Sequence, residues 1–240
     1  MKTVDILGIP FHWLTVEGAL DILESYLDTD ENHIVVTPNP EGVMQARRNP
    51  AFREALLGAD LSLADGTGIV LASRCKGTPL PGRVRGVDTI FALLTRLSQK
   101  KRKHTAYFLG GAPGIPDKAK TEMESRFPSL EVVGHHHGFY TPEDEPAIIT
   151  EINNLNPDLL LVCRGMPASE IWAHTHRDIN ARMTLCLGGT IDIMAGNVKL
   201  TPAFFRKLGL EWLYRLARQP SRWKRQLDIP RFVWAVMRNK

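Results

Sequence analysis

The chain has 240 residues, of which 43% are hydrophobic, and its formal net charge at pH 7 is +4. This length and composition predict a folded globular protein with one sizeable core and exclude a disordered chain. No apolar run approaches the roughly 20 residues of a membrane-spanning helix, and the N-terminal stretch is too polar for a secretory signal, so we expect neither a transmembrane segment nor export. The three widely separated cysteines favour a reducing cytosol over a disulfide framework.

Short β-branched and apolar runs alternate with helix-length segments along most of the chain. The runs predict buried strands at residues 4–9, 33–37, 60–63, 105–109, 131–133, 158–163 and 183–187. Segments with a 3.6-residue period predict helices, among them residues 16–27, 49–57, 87–97, 117–127 and 168–180. This alternation predicts an α/β fold with a Rossmann-like, mostly parallel sheet flanked by helices. In such sheets ligands bind at the loops that follow strands.

The loop TPNPE, residues 37–41, follows the second predicted strand. Its two prolines stiffen a segment that presents the hydroxyl of Thr37 and the amide of Asn39, an arrangement suited to sugar hydroxyls. Asn39 followed by Pro40 also fits the start of a helix, with Asn39 as the capping residue. The two roles are compatible.

Asp65 lies in the loop ADGTG, after the third predicted strand. Asp-Gly is common in turns and an aspartate before a helix is a good N-cap, so local chemistry alone favours a structural role. The alternative is a general base, because the glycines that follow would let a substrate approach the carboxylate closely.

Glycine-rich loops follow the fourth and seventh predicted strands. Gly110 and Gly111 begin the first, Gly188 and Gly189 begin the second, and backbone N–H groups at a helix start can hold a phosphate. Asp192 is a candidate partner for ribose hydroxyls. Tight turns that require glycine are the simpler explanation, since neither loop has the GxGxxG or P-loop spacing.

Candidate metal ligands are few. Asp28-Thr29-Asp30 has the DxD form found in many nucleotide-sugar enzymes, but it lies at the polar end of a predicted helix. The histidines at positions 135–137, 174 and 176 lack further ligands at a suitable spacing. We therefore expect no metal site and no cofactor.

Positive charge is concentrated near the C-terminus. From Ala203 onward the chain has ten Lys or Arg against two acidic residues, whereas the preceding 202 residues carry a net charge of −4. The segment fits a helix packed on the body, or an amphipathic element at an anionic membrane surface, and Pro220 and Pro230 interrupt it. We expect two parts, an α/β domain at residues 1–202 and a basic appendage at residues 203–240.

In their order along the chain, these loops resemble those of the WecG/TagA/CpsF glycosyltransferases, glycosyltransferase family 26. The resemblance runs from about residue 35 to residue 232. Its motifs are VTPNPE, ADLSLADGTGIV, RVRGVD, FLGGAPG, PDLLLVCRGMP with Glu170, LGGTIDIMAG and GLEWLYRLARQPSRWKRQ. It implies inverting, metal-independent transfer of a sugar of the N-acetylmannosamine type, or a related hexose or uronic acid, from a UDP-sugar to a polyprenyl-diphosphate-linked sugar. The setting it implies is bacterial cell-surface polysaccharide or teichoic acid synthesis.

The resemblance also implies roles for single residues. It makes Asp65 the catalytic base of the domain at residues 1–202 and places Thr37, Asn39 and Arg83 in the surrounding pocket. The base would take the proton of the attacking sugar hydroxyl, which is a poor nucleophile by itself.

For the basic segment, the resemblance implies attachment to the inner face of the plasma membrane and closure over the active site. It assigns the donor diphosphate to Arg215, Arg222 and Arg225. Guanidinium groups suit this role, since they can stabilise the negative charge that develops on a diphosphate leaving group.

Two departures from the family pattern leave the donor sugar open: Ala168-Ser169 replaces a common Lys-Gln, and Leu200-Thr201-Pro202 replaces a common Arg-Ala-Pro. Two other functions remain as alternatives. A nicotinamide-dependent oxidoreductase suits the fold class but lacks its GxGxxG motif, and a nucleic-acid binder acting through the basic segment lacks a recognisable binding module. The oligomeric state is also open, a homo-oligomer included.

Overall fold

The computed structural model describes residues 1–100, 102–202, 204–205, 209, 211–218 and 223–239, without the side chains of residues 215, 224 and 225. Two strands form an antiparallel hairpin, β1 (Thr3–Ile6) and β2 (Ile9–His12). Six strands form the central sheet: β3 (His33–Val36), β4 (Leu61–Ser62), β5 (His104–Gly110), β6 (Leu130–His136), β7 (Leu159–Cys163) and β8 (Met183–Cys186). Their order is β4-β3-β8-β7-β5-β6, and every pair is parallel.

Helices connect the strands and cover both faces of the sheet. Those of the first half are α1 (Val16–Tyr26), α2 (Pro40–Ala46), α3 (Pro50–Leu57), α4 (Thr67–Cys75), α5 (Gly86–Ser98) and α6 (Ile115–Arg126). Those of the second half are α7 (Glu145–Leu155), α8 (Ala168–Thr175), α9 (Thr190–Met194), α10 (Glu211–Arg218), α11 (Trp223–Gln226) and α12 (Asp228–Arg238). The predicted α/β fold with a parallel sheet flanked by helices is confirmed.

The first predicted strand, residues 4–9, was wrong as a single element. Leu7 and Gly8 both have positive φ, 55° and 85°, so the chain reverses there and the run continues as the second strand of the hairpin. The carboxylate of Asp5 accepts a hydrogen bond from the Gly8 N–H at 3.1 Å. Leucine at a left-handed turn position gives no sequence signal for the reversal.

Alternating side chains of the strands supply the core on each face of the sheet. In β3, Val35 belongs to the cluster formed with α1, α5 and α6, whereas Ile34 and Val36 belong to the cluster formed with the hairpin and α2, α3 and α4. The strands β7 and β8 are buried along their whole length. Their sequences are near-continuous apolar runs because helices cover both faces of the sheet at these strands.

The last helix, α12, packs one face on the body and leaves the other exposed. Phe232 is 1% exposed and belongs to the same core cluster as residues of α2 and α4. Asp228 accepts a hydrogen bond at 2.9 Å from Arg48 Nη1. On the opposite face Trp234 is 59% exposed, and Val233 and Met237 are exposed as well. In the described part of the chain, no helix is long and apolar enough to cross a bilayer.

The burial of Phe232 predicts that the last helix contributes to global stability. We expect Phe232→Ala to lower the free energy of unfolding by about 3–5 kcal/mol, because it leaves a cavity between α12 and the body. Urea denaturation followed by circular dichroism measures this change. Trp234→Ala is the control on the exposed face and should cost less than about 0.5 kcal/mol. Equal effects of the two substitutions would contradict the packing of α12.

Candidate active site

The loops that follow β3 and β4 are in contact at the carboxyl edge of the sheet. The Asp65 N–H donates to the Pro38 carbonyl at 3.3 Å. A Cβ added to Gly66 would lie 3.2 Å from Cδ of Pro40 and 3.8 Å from Cβ of Asn39. The polar loop 37–41 and the half-buried Asp65 therefore form one surface.

The helix caps in these two loops differ, and the difference bears on the role of Asp65. Asn39 Oδ1 accepts from the Gly42 N–H at 2.9 Å, so the predicted cap of α2 is confirmed. The N-cap of α4 is Gly66, with a φ of 103° and no side-chain capping hydrogen bond. The N-cap residue of α4 is therefore Gly66, and Asp65 lies one residue before it, outside the N-cap position that its local sequence favours.

A third segment, residues 83–86, completes this group. The Val84 N–H donates to the Ala64 carbonyl at 3.0 Å, and Arg83 Nη1 donates to Thr67 Oγ1 at 3.3 Å. A Cβ on Gly86 would lie 3.0 Å from Thr37 Oγ1. The structure thus brings together four of the residues selected from sequence: Thr37, Asn39, Asp65 and Arg83.

Two further residues of this region were not among the sequence candidates. Glu211, the first residue of α10, pairs through Oε1 with Arg83 Nη1 at 2.8 Å and through Oε2 with Arg85 Nη2 at 2.6 Å. Arg85 also donates to Asp88 at 2.8 Å. The motif RVRG contained a signal for Arg85, because residues 83 and 85 of an extended segment point to the same side. The structure agrees, since Arg85 has extended φ and ψ.

The second group of candidates lies farther along the same edge, after β5 and β8. Gly110 has a φ of 141°, and a Cβ there would approach the backbone of Cys163 to 2.3 Å, so only glycine fits this turn. The Gly111 N–H donates to the Cys163 carbonyl at 3.3 Å and is therefore already used within the fold. These observations favour a structural role for the first glycine loop.

The glycine loop after β8 is more open. A Cβ on Gly188 would have no neighbour within 4 Å, and one on Gly189 would only reach Asp192 Oδ2 at 4.0 Å. Burial raises the pKa of the half-buried Asp192 above its ordinary value. Leu187 connects this loop to the first group, since its side chain lies 3.3 Å from a Cβ on Gly86.

The arginines selected in the basic segment cannot be placed at the site. Arg222 lies outside the described residues, as do the side chains of Arg215 and Arg225. Across the described residues, no group of three or more His, Cys, Asp or Glu side chains could hold a metal ion.

Glu170, in the first turn of α8, is a buried carboxyl group close to Cys186. Burial raises its pKa to about 7, and Oε2 has no hydrogen-bond partner among the described residues. The thiols of Cys163 and Cys186 are free and buried; burial raises the pKa of Cys163 to about 12 and that of Cys186 well above its ordinary value. These thiols are therefore protonated at neutral pH.

Comparison with known proteins gives matches over nearly the whole chain. A family model described as "Glycosyl transferase WecG/TagA/CpsF family" matches residues 4–240. A relative from Bacillus spizizenii strain W23 is 35% identical over 100% of this chain and 93% of its own length. Relatives from Bacillus subtilis strain 168 and Staphylococcus aureus strain MRSA252 are 30% and 31% identical, over 100% and 99% of this chain and 93% of each relative.

All three relatives are named N-acetylglucosaminyldiphosphoundecaprenol N-acetyl-beta-D-mannosaminyltransferase. Their names give no support to the oxidoreductase or the nucleic-acid binder. The resemblance inferred from the ordered loops is confirmed.

The burial of Glu170 predicts a pH-dependent stability. The unfolded chain loses the Glu170 proton above its ordinary pKa of 4.5, whereas the folded chain keeps it up to about pH 7, so this residue destabilises the fold as pH rises through that window. We expect Glu170→Gln to raise the free energy of unfolding at pH 8 by up to about 3 kcal/mol, and much less at pH 4.5.

Urea denaturation at the two pH values measures the difference, with the exposed Glu122→Gln as the control. A gain in stability for Glu170→Gln that is the same at both pH values would contradict the buried, protonated carboxyl group.

Proposed function

Because the chain belongs to the WecG/TagA/CpsF glycosyltransferase family, and is therefore a glycosyltransferase, we propose that it transfers an N-acetylmannosamine-type sugar from a UDP-sugar to a polyprenyl-diphosphate-linked sugar. The acceptor class comes from the names of the relatives, which act on N-acetylglucosaminyldiphosphoundecaprenol. Such a product would serve cell-surface polysaccharide or teichoic acid synthesis.

The observation that carries the proposed mechanism is the position of Asp65. Its backbone N–H binds the Pro38 carbonyl of the loop 37–41, its side chain is half-buried, and it stands one residue before Gly66, the N-cap of α4. We assign it the role of general base. As the acceptor hydroxyl attacks the anomeric carbon, its proton passes to Asp65, the new C–O bond forms, and the bond to the diphosphate breaks on the opposite face. This single displacement inverts the anomeric configuration.

The surrounding polar residues fit the binding of sugars and of a diphosphate. Asn39 uses its amide oxygen to cap α2, so its NH2 group is the part suited to a substrate hydroxyl. Arg83 supplies a guanidinium beside Thr67, two residues after Asp65, and the family resemblance assigns Arg215, Arg222 and Arg225 to the donor diphosphate. We propose that these guanidinium groups stabilise the leaving group without a metal ion.

The nucleoside of the donor would extend along the carboxyl edge toward β8. Two strand spacings, about 10 Å, separate the ends of β4 and β8, so a sugar and a diphosphate could bridge them. Asp192, with the open turn at Gly188 and Gly189, then lies where ribose hydroxyls would bind. Gly110 and Gly111 shape the neighbouring loop after β5.

We propose that residues 203–240 form a basic appendage that holds the enzyme on the inner face of the membrane. The segment has ten basic residues and several exposed apolar side chains, among them Phe204, Trp212, Leu213, Trp223, Trp234 and Met237. Exposed tryptophans combined with positive charge suit the interface of an anionic bilayer, where the lipid-linked acceptor would lie.

The general-base assignment predicts that Asp65→Asn retains UDP binding and lowers the rate of transfer at least about a hundredfold. Calorimetric titration with UDP and mass detection of the lipid-linked product measure the two properties. Asp178→Asn is the matched control, since this exposed aspartate lies between α8 and β8, at the opposite edge of the sheet. Turnover of the Asp65→Asn protein at the wild-type rate would overturn the assignment.

The membrane proposal predicts that the double variant Trp234→Ala and Met237→Ala binds anionic vesicles at least about tenfold more weakly, because it loses apolar area that would enter the interface. Cosedimentation with phosphatidylglycerol-containing vesicles measures binding. Leu71→Ala, at an equally exposed position on α4, should bind as the wild type does. Unchanged binding by the double variant would contradict the use of this helix face.

A further inference from the structure

We propose that Glu211 is a positioning residue that fixes Arg83 beside the catalytic loop and thereby couples helix α10 to the active site. The three side chains of Arg83, Arg85 and Glu211 are called here the arginine latch. The proposal rests on the glycosyltransferase function assigned above and concerns how that site is assembled.

The geometry of the arginine latch is that of one carboxylate shared by two guanidinium groups. Each oxygen of Glu211 has its own partner, at 2.8 Å on Arg83 and 2.6 Å on Arg85. The sequence separation is about 126 residues, so the contact joins the start of α10 to the loop before α5. Charge-assisted pairs of this length are among the stronger hydrogen bonds of proteins.

The arginine latch is largely buried, so loss of its carboxylate costs free energy. The Arg85 side chain is 6% exposed and that of Glu211 is 15% exposed, whereas Arg83 is 22% exposed. Without Glu211, Arg85 would keep its contact with Asp88, but both guanidinium groups would lose the carboxylate that they share. Breaking a buried ion pair by removing one partner is strongly unfavourable. The pairing of Glu211 with both arginines therefore stabilises the docked position of α10.

Contacts beside the arginine latch reach Thr67, close in sequence to the proposed base Asp65. The same Nη1 atom of Arg83 that binds Glu211 donates to Thr67 Oγ1, two residues after Asp65. A Cβ on Gly209 would lie 2.5 Å from Thr67 Oγ1, so the backbone before α10 packs closely on the start of α4. The position of Arg83 relative to Asp65 therefore depends on α10 being docked.

The first turn of α10 also carries the side chains assigned to the membrane. Trp212 and Leu213 follow Glu211 directly and are exposed, while Glu211 points into the body. One helical turn thus presents a carboxylate to the arginines and apolar groups to the surroundings. A shift of this turn at the bilayer would be transmitted to Arg83 through the latch.

The test compares Glu211→Gln with Glu24→Gln in the full-length enzyme. Glu24 is the matched control, because it also bridges two cations, Arg96 and Lys100, at 19% exposure but lies on α1, away from the catalytic loops. Hydrogen–deuterium exchange is measured without substrate, in peptides covering residues 82–88 and 211–218. Transfer kinetics are measured with UDP-N-acetylmannosamine and a synthetic polyprenyl-diphosphate N-acetylglucosamine.

For Glu211→Gln we expect faster exchange in both peptides and a loss of about ten- to a hundredfold in kcat/KM for the donor, mostly in kcat, because Arg83 acts on charge that develops in the transition state. Glu211→Asp keeps the charge and should recover part of this loss. Glu24→Gln should resemble the wild type in both measurements.

Arg85→Lys supplies a second readout, since lysine keeps the charge but not the planar fork. If both residues act through one latch, adding Arg85→Lys to Glu211→Gln should cause no further loss. Three results would overturn the proposal: exchange unchanged by Glu211→Gln, kinetics matching those of Glu24→Gln, or a lower donor KM with a raised rate, which would make Glu211 a competitor of the diphosphate. A wild-type enzyme without transfer would refute the proposed function instead, while the exchange data would still test the latch.

Discussion

The parallel alignment of six strands is the constraint on which the rest of this molecule depends. It sends every strand-to-helix loop to the same edge of the sheet, so polar residues far apart in sequence become neighbours. Because β3 pairs with both β4 and β8, the loop 37–41 lies between Asp65 and the open glycine turn at residues 188–189. The order of the strands thus arranges Asp65, the polar loop 37–41 and the glycine turn at residues 188–189 in one line.

Helix capping then separates structural side chains from candidates for chemistry. The amide oxygen of Asn39 caps the start of α2, whereas the N-cap of α4 is Gly66 and Asp65 lies one residue before that position. In the basic C-terminal segment, the acidic side chains are the ones with a structural role. Its two acidic residues both pair with arginines of the body, Glu211 with Arg83 and Arg85, and Asp228 with Arg48. These carboxylates attach a segment whose net charge favours anionic partners.

Much of the fold could be predicted because hydrophobic periodicity and strand-like runs depend on local sequence. The predicted runs correspond to all six strands of the sheet, and the helix starts at Asn39 and Asn49 follow capping rules. The hairpin reversal at Leu7 gave no local signal. The latch was missed because it joins residues about 126 positions apart, and no spacing rule relates an acidic residue in a basic segment to its partners.

The part of the site formed by Thr37, Asn39 and Asp65 was predictable for a different reason, since each follows a strand. Local chemistry by itself gave Asp65 a capping role; the ordered set of loops changed that interpretation, and the N-cap position is occupied by Gly66. The choice of sugar depends on side chains across the whole edge, including Ala168 and Ser169, and no single motif specifies it.

The most direct test of the account is the structure of the product made by the wild-type enzyme. A set of UDP-sugars would be incubated with a synthetic polyprenyl-diphosphate N-acetylglucosamine, the product mass measured, and the anomeric configuration of the new bond determined by NMR spectroscopy. We expect addition of one N-acetylmannosamine-type residue with inversion relative to the donor. Retention of configuration, or the absence of transfer from every UDP-sugar, would contradict it.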